Sequence, residues 1–258
     1  MFINSLNLYT KISMNKTLNY SPSFDIKKRK PNQIKFIIFH YTGMKKESEA
    51  IERLTSIQSK VSCHYLIKNN GEIVIMVPDL YEAWHAGVSS WRNFKSLNKN
   101  SIGIEISNPG HNSNYKRFSK KQIQSIKKLG KYLIKKYKIN QKNILGHSDI
   151  APTRKKDPGE KFPWKYLAKF GVGKCHSLSQ KFLVKNRKKE ISPADRKFFF
   201  NNLSKIGYSK ISPIKSKKNK FFKFLIIAFQ RRFRQELVNG KIDQECLLIS
   251  KNLIKVYN

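Results

Sequence analysis

The chain has 258 residues, 39% of them hydrophobic and 12% aromatic, and 53 Lys and Arg against 16 Asp and Glu give a formal net charge of +37. That apolar content is enough for a packed interior and excludes a disordered tail. The length, beyond the usual ~100 to 200 residues of one domain, suggests a sizeable domain with a smaller companion.

The charge favours polyanionic partners such as nucleic acid, anionic lipid or acidic cell-wall polymer without choosing among them. A lysine-rich bias spread over ordinary solvated faces accounts for it equally well. At the N-terminus, MFINSLNLYTKISMNKTLNY lacks a basic n-region followed by an unbroken apolar core and a small-residue cleavage site. No signal peptide is therefore expected, cytoplasmic placement is the plain reading with the cell envelope as the alternative, and Met14 is a second candidate start. No apolar run reaches ~18 residues, so no membrane span is expected.

In chain order, the first strong element is IKFIIFHYT, Ile34 to Thr42, read as a buried central strand delivering His40 at its end. ESEAIERLTSIQ then spaces Ala50, Ile51, Leu54 and Ile57 at helical intervals. SCHYLIKNNGEIVIMV sets Asn70 and Gly71 between two β-rich runs, and Asn-Gly supplies the positive φ of a tight hairpin turn. In SIGIEISN, Ile102, Ile104 and Ile106 share one strand face, so Glu105 points to the other. Ser119 is placed to cap a helix whose inward stripe is Ile123, Ile126, Gly130, Leu133 and Tyr137. NILGHSDIAP reads as a short strand entering a loop stiffened by Pro152 and Pro158. The predicted class is α/β, a mixed central sheet flanked by helices, with a small C-terminal three-helix domain.

That companion is predicted from the composition shift after Gly173. KCHSLSQKFLVKNRKKEISPAD is polar and basic with little periodicity and reads as a linker, and three amphipathic segments follow at 194–206, 220–234 and 244–256. The expected partition is an extension over 1–19, a catalytic domain over 20–172, a basic linker over 173–192 and a helical domain over 193–258. Cys63, Cys175 and Cys246 are odd in number and far apart, with no CxxC pair, so neither a zinc knuckle nor a redox couple is expected.

Among six histidines, His40 and His147 each stand where a strand meets a loop, and the loop after His147 carries Asp157. Two neutral imidazoles and one carboxylate make a three-ligand set that leaves zinc's fourth tetrahedral position for water, the mark of a catalytic rather than a structural site. Asp157 would halve the ion's charge while leaving field enough to acidify that water. Lys155 would be a cation beside the metal that steadies a developing oxyanion, against the alternative that RKK is solvated charge. Glu105, on a strand otherwise of Ile and Gly, would shuttle the water's proton to a departing nitrogen, against the alternative of pairing with a lysine.

The blocks FHYTG, SCHYLI, AWHAG, SIGIEISNPG and GHSDIAPTRKKDPG with FPW resemble, in order and spacing, the zinc-dependent N-acetylmuramoyl-L-alanine amidases of the type 2 family, over about residues 20–171. The resemblance implies one Zn²⁺ on His40, His147 and Asp157, an acid/base role for Glu105 and an oxyanion role for Lys155. His64, Trp84 and His85 match positions near the family's groove, as substrate contacts or as packing. IIAFQRRFRQELVNGKIDQECLLI is similar to the peptidoglycan-binding three-helix module of one branch, departing from it at Cys246, where threonine is usual. The implied activity is cleavage of the amide between N-acetylmuramic acid and L-alanine in peptidoglycan or muropeptides, by a monomer. Two rivals stand beside it. A non-catalytic peptidoglycan-recognition protein would commonly lack part of the metal set, which is whole here; a basic nucleic-acid-binding protein finds no motif in the chain, so no specific nucleic acid is expected.

Overall fold

The computed structural model describes residues 16–208 and 218–257. The candidate start Met14, most of the expected N-terminal extension and the beginning of the lysine-rich stretch 212–222 lie outside the described residues.

The central sheet is built from β1 (Lys16–Leu18), β3 (Phe36–Phe39), β4 (Tyr65–Ile67), β5 (Ile73–Ile75), β9 (Ser101–Ile106) and β10 (Ile144–Gly146), in the order β1-β5-β4-β9-β3-β10. β4, β9, β3 and β10 run parallel, and β5 is antiparallel to β4. Two short ribbons, β2 (Phe24–Asp25) with β6 (Glu82–Ala83) and β7 (Ser90–Trp91) with β8 (Phe94–Lys95), stand apart from it. The hairpin predicted at Asn70-Gly71 joins β4 to β5, with Gly71 at φ +85°. Glycine is required there twice over, because a Cβ would also lie 2.9 Å from the backbone oxygen of Lys121.

On one face, Ile37, Phe39, Ile102, Ile104 and Ile106 pack against Ile126, Leu129, Leu133 and Tyr137 of α2 (Lys120–Tyr137). Ser119 caps that helix as expected: its Oγ accepts from Gln122 N at 3.1 Å while Gln122 Oε1 accepts from Ser119 N at 2.9 Å. The reciprocal bonds fix where the helix begins, and so which of its residues face the sheet. The short helix α4 (Trp164–Lys169) adds Trp164 and Leu167 to the same apolar cluster. α1 (Glu47–Thr55) falls within its predicted stretch.

The three predicted C-terminal segments are α6 (Pro193–Ile206), α7 (Lys218–Phe233) and α8 (Gln244–Tyr257). The segment read as a linker over 173–192 is different from expectation, because it contains a further helix, α5 (Gln180–Asn186). Seven residues that bury only Leu183 cannot display a helical period, and α5 is held by tertiary contacts. Just beyond it, Arg187 grips Glu245 through two bonds of 2.7 and 2.8 Å. The helices also share an apolar interior with the sheet: Phe36, Ile38, Leu145, Trp91 and Ile150 form one continuous cluster with Leu203, Ile206, Tyr208, Leu225 and Phe229. Among the described residues, no helix is long and apolar enough to cross a membrane, and all three cysteines are free.

Candidate active site

Three neighbouring parallel strands end at one level. Gly146 pairs with Phe39, and Phe39 with Ile104. The next residue on each strand, His147, His40 and Glu105, therefore stands at the carboxyl edge of the sheet, where open α/β sheets place their ligands. Since Phe39 and Ile104 face the α2 side, strand alternation turns His40 and Glu105 to the opposite face. His147 opens the single turn α3 (His147–Ile150), and the chain returns ten residues later so that Ser148 N donates to Asp157 O at 2.8 Å.

The result is a triangle of donor atoms. His40 Nδ1 lies 2.9 Å from His147 Nδ1, and each lies 3.0 Å from Asp157 Oδ2. All three residues are buried. Hydrogen bonds behind the rings settle which nitrogens are bare. The carbonyl of Leu97 can only accept, so Ser101 Oγ–H donates to it at 2.6 Å and in turn accepts from His85 Nε2–H at 3.1 Å. His85 Nδ1 is then an acceptor for His40 Nε2–H at 3.0 Å. His147 Nε2–H donates to the carbonyl of Ala86 at 3.1 Å. Both Nδ1 atoms are left as lone pairs converging on a carboxylate oxygen, an arrangement that repels itself unless a cation or protons fill it.

Protons are disfavoured on His40, whose burial, aided by the neighbouring His147, brings its pKa down to about 4. A divalent ion fits. Three donors each about 2.0–2.1 Å from a tetrahedral zinc lie about 3.3 Å apart, close to the separations found; the far nitrogen of His147 has the carbonyl partner usual for such residues, while that of His40 has the imidazole of His85 instead. Burial alone would raise the carboxyl of Asp157, yet the pull of His147 and His40 outweighs it and holds Asp157 below its ordinary range.

Glu105 stands next to this triangle, with Oε1 4.0 Å from His40 Nδ1. Its Oε2 is buried with no hydrogen-bond partner among the described residues. Burial first, and the charge of Asp157 second, push its pKa up to about 8, while Lys155 pulls in the opposite direction. No lysine pairs with it at ion-pair distance among the described residues, so the alternative reading of Glu105 loses its premise. His147, Asp157 and Glu105 open on a cleft of about 420 Å³ lined also by Tyr41, Trp84, His85, Arg154 and Lys155.

Of the three residues assigned to a groove, Trp84 is half-buried on the cleft wall and donates from Nε1 to Asp25 Oδ1 at 3.4 Å. His85 reaches the wall but uses both ring nitrogens on His40 and Ser101. His64 lies elsewhere: it is fully buried, accepts from Gly103 N at 2.9 Å and donates from Nε2 to the carbonyl of Tyr81 at 3.0 Å, so it packs rather than faces substrate. The sequence pattern missed Arg154, which donates to the carbonyls of Ala86 and Val88 at 3.0 and 2.6 Å and so braces the carbonyl that orients His147. It also left Gly103 unexplained. A Cβ there would sit 2.3 Å from His85 Cγ. Gly103→Ala should therefore displace His85 and loosen His40, weakening the hold of the triangle on an added divalent ion by about 10–100-fold in a chelator competition, the usual cost of losing an outer partner of a metal-binding side chain.

The N-acetylmuramoyl-L-alanine amidase family matches residues 30–160. The N-acetylmuramoyl-L-alanine amidase AmiD of Escherichia coli is 35% identical over 237 residues, covering 87% of this chain and 84% of its own length. The chain belongs to this family. Similarity extends to solved structures of such amidases. That of Escherichia coli AmiD in complex with the substrate anhydro-N-acetylmuramic acid-L-Ala-D-gamma-Glu-L-Lys superposes with a TM-score of 0.76 at 34% identity, over 87% of this chain and 90% of that one. AmpDH3 from Pseudomonas aeruginosa gives 0.75 at 30% identity, over 93% and 98%. A shorter relative, 1,6-anhydro-N-acetylmuramyl-L-alanine amidase AmpD of Haemophilus influenzae, is 34% identical and covers 57% of this chain and 88% of its own length. The amidase reading made on the residues thus stands, and the enzyme is an N-acetylmuramoyl-L-alanine amidase with a mixed sheet flanked by helices.

Proposed function

We propose that this amidase cleaves the bond between the lactyl carbonyl of N-acetylmuramic acid and the nitrogen of L-alanine in muropeptides, with one Zn²⁺ held by His40, His147 and Asp157. The observation that carries the reading is the triangle of bare donor atoms beside Glu105, whose Oε2 has no hydrogen-bond partner among the described residues. Zinc at such a site polarises a carbonyl and acidifies water. The remaining chemistry belongs to the chain. Glu105 Oε2, without a hydrogen-bond partner among the described residues, takes a proton from the attacking water and returns it to the alanine nitrogen as the C–N bond breaks. Lys155, held half-buried on the cleft wall by its amide's bond to the Ala151 carbonyl at 3.0 Å, faces the developing oxyanion with its ammonium group. Trp84 offers an apolar wall to the substrate.

A muropeptide fits the electrostatics, because its free carboxylates meet a strongly cationic protein. The substrate in the AmiD complex is an anhydro-muropeptide, which supports soluble cell-wall fragments, and hence peptidoglycan turnover, as the setting for this enzyme. The deciding experiment treats metal-replete and chelated protein with defined muropeptides and reads the products by mass. Free stem peptide from the replete sample only is expected; release of the same peptide by fully chelated protein would remove zinc from the reaction.

Lys155 has a second, measurable effect. Because its charge lowers the pKa of Glu105, Lys155→Met should raise that pKa. A base works only when ionised, so the acidic limb of kcat/KM should move to higher pH, together with a fall in kcat.

A further inference from the structure

The end of α7 and the chain just beyond it press on the segment that carries two of the three donor residues. Arg232, only 2% exposed, donates from Nη1 to Asp149 Oδ2 at 2.5 Å and from Nη2 to the carbonyl of Ile144 at 2.7 Å. Its guanidinium lies 4.2 Å over the Trp164 ring. Tyr208, from the chain leaving α6, donates to the other oxygen of Asp149 at 2.7 Å. Asp149 Oδ2 in turn accepts from Gly146 N at 2.8 Å. On the far side of the same segment, Gln235 Nε2 donates to the carbonyls of Glu160 and Phe162 at 2.6 and 2.7 Å.

These contacts bracket His147 and Asp157. Asp149 is two residues after His147, and Glu160 three after Asp157. α3 has only four residues, too few to hold a shape of their own, since a helix this short is unstable without tertiary contacts. A buried Arg–Asp pair is also a poor source of net stability, because desolvating both ions offsets most of their attraction; its attested use is to specify one arrangement.

We propose that Arg232, Tyr208 and Gln235 are positioning residues for the metal site, so that the C-terminal helices form part of the amidase centre whatever they do towards glycan. The inference rests on His147 and Asp157 as metal ligands. The helices set the direction of His147 Nδ1 through Asp149 and the path of the chain after Asp157 through the carbonyls of Glu160 and Phe162.

The test uses the full chain and the double variant Tyr208→Phe/Gln235→Ala, which keeps the Arg232–Asp149 pair and so the fold. Zinc affinity is measured by chelator competition well below the melting temperature, with kcat and KM at limiting and at excess zinc. The double variant should bind zinc about 10-fold more weakly, the low end of the range for a lost outer contact because neither residue touches a donor directly, and should regain kcat in excess zinc with KM little changed. Leu247→Ala, in the interior of the helices, should lower the melting temperature while leaving zinc affinity alone. Parental zinc affinity in the double variant, or an equal loss in Leu247→Ala, overturns the proposal. His147→Ala separates the two readings: if it binds zinc as the parent does, the ligand assignment itself falls, whereas zinc loss there with none in the double variant removes only the role of the helices.

Discussion

Glu105→Gln should lower kcat by about 10²- to 10⁴-fold, the range assigned to general acid–base catalysis, and leave one zinc bound per chain. The amide is the same size as the carboxylate and stands next to the donor triangle rather than within it, with Oε1 4.0 Å from His40 Nδ1. Metal retention is therefore expected, and what disappears is the capacity to accept a proton. Product analysis by mass, paired with metal quantification on the same preparation, checks both halves. A zinc-loaded Glu105→Gln variant that turns over at the parental rate would take Glu105 out of the reaction.

Asp157→Ala should abolish detectable turnover through the metal. With the carboxylate gone, two neutral imidazoles remain to hold a divalent ion in a buried site, and the charge that offsets the ion's desolvation is lost. Zinc affinity should fall by more than the roughly 100-fold that marks the upper range for an outer contact. The two variants thus differ in a way that one experiment resolves: the Glu105→Gln protein is inactive with its metal, and the Asp157→Ala protein is inactive without it. Added zinc should rescue neither the first at any concentration nor the second near the parental affinity.

The residues proposed for the site could be singled out because they stand at punctuation points that local rules can find. His40 closes an apolar run, Glu105 occupies the polar phase of an Ile-x-Ile-x-Ile strand, and His147 follows a short apolar run ahead of a proline-containing loop. Each position follows from a strand's two-residue period or from where an apolar run ends. α5 was not legible, because it buries one residue and offers no period to detect. For His64 and His85 the sequence left substrate contact and packing both open. Both lie in blocks that suggest a groove, yet one is enclosed in the interior and the other spends both nitrogens holding His40 and Ser101.

By itself, then, the amino-acid order determined the strands β3, β4, β5, β9 and β10, the hairpin at Asn70-Gly71, the cap at Ser119, the three C-terminal amphipathic segments and the residues proposed for the centre. These depend on interactions within a few residues, namely side-chain periodicity, turn dihedrals and capping bonds. Tertiary structure alone decided that three strand ends share a level, which imidazole nitrogen His40 and His147 each leave bare, and that Arg232, 83 residues along the chain from Asp149, closes on it. Those outcomes depend on strand register and on pairings between distant segments, whose energies come into existence only once the sheet and the helices have packed and water has been excluded between them.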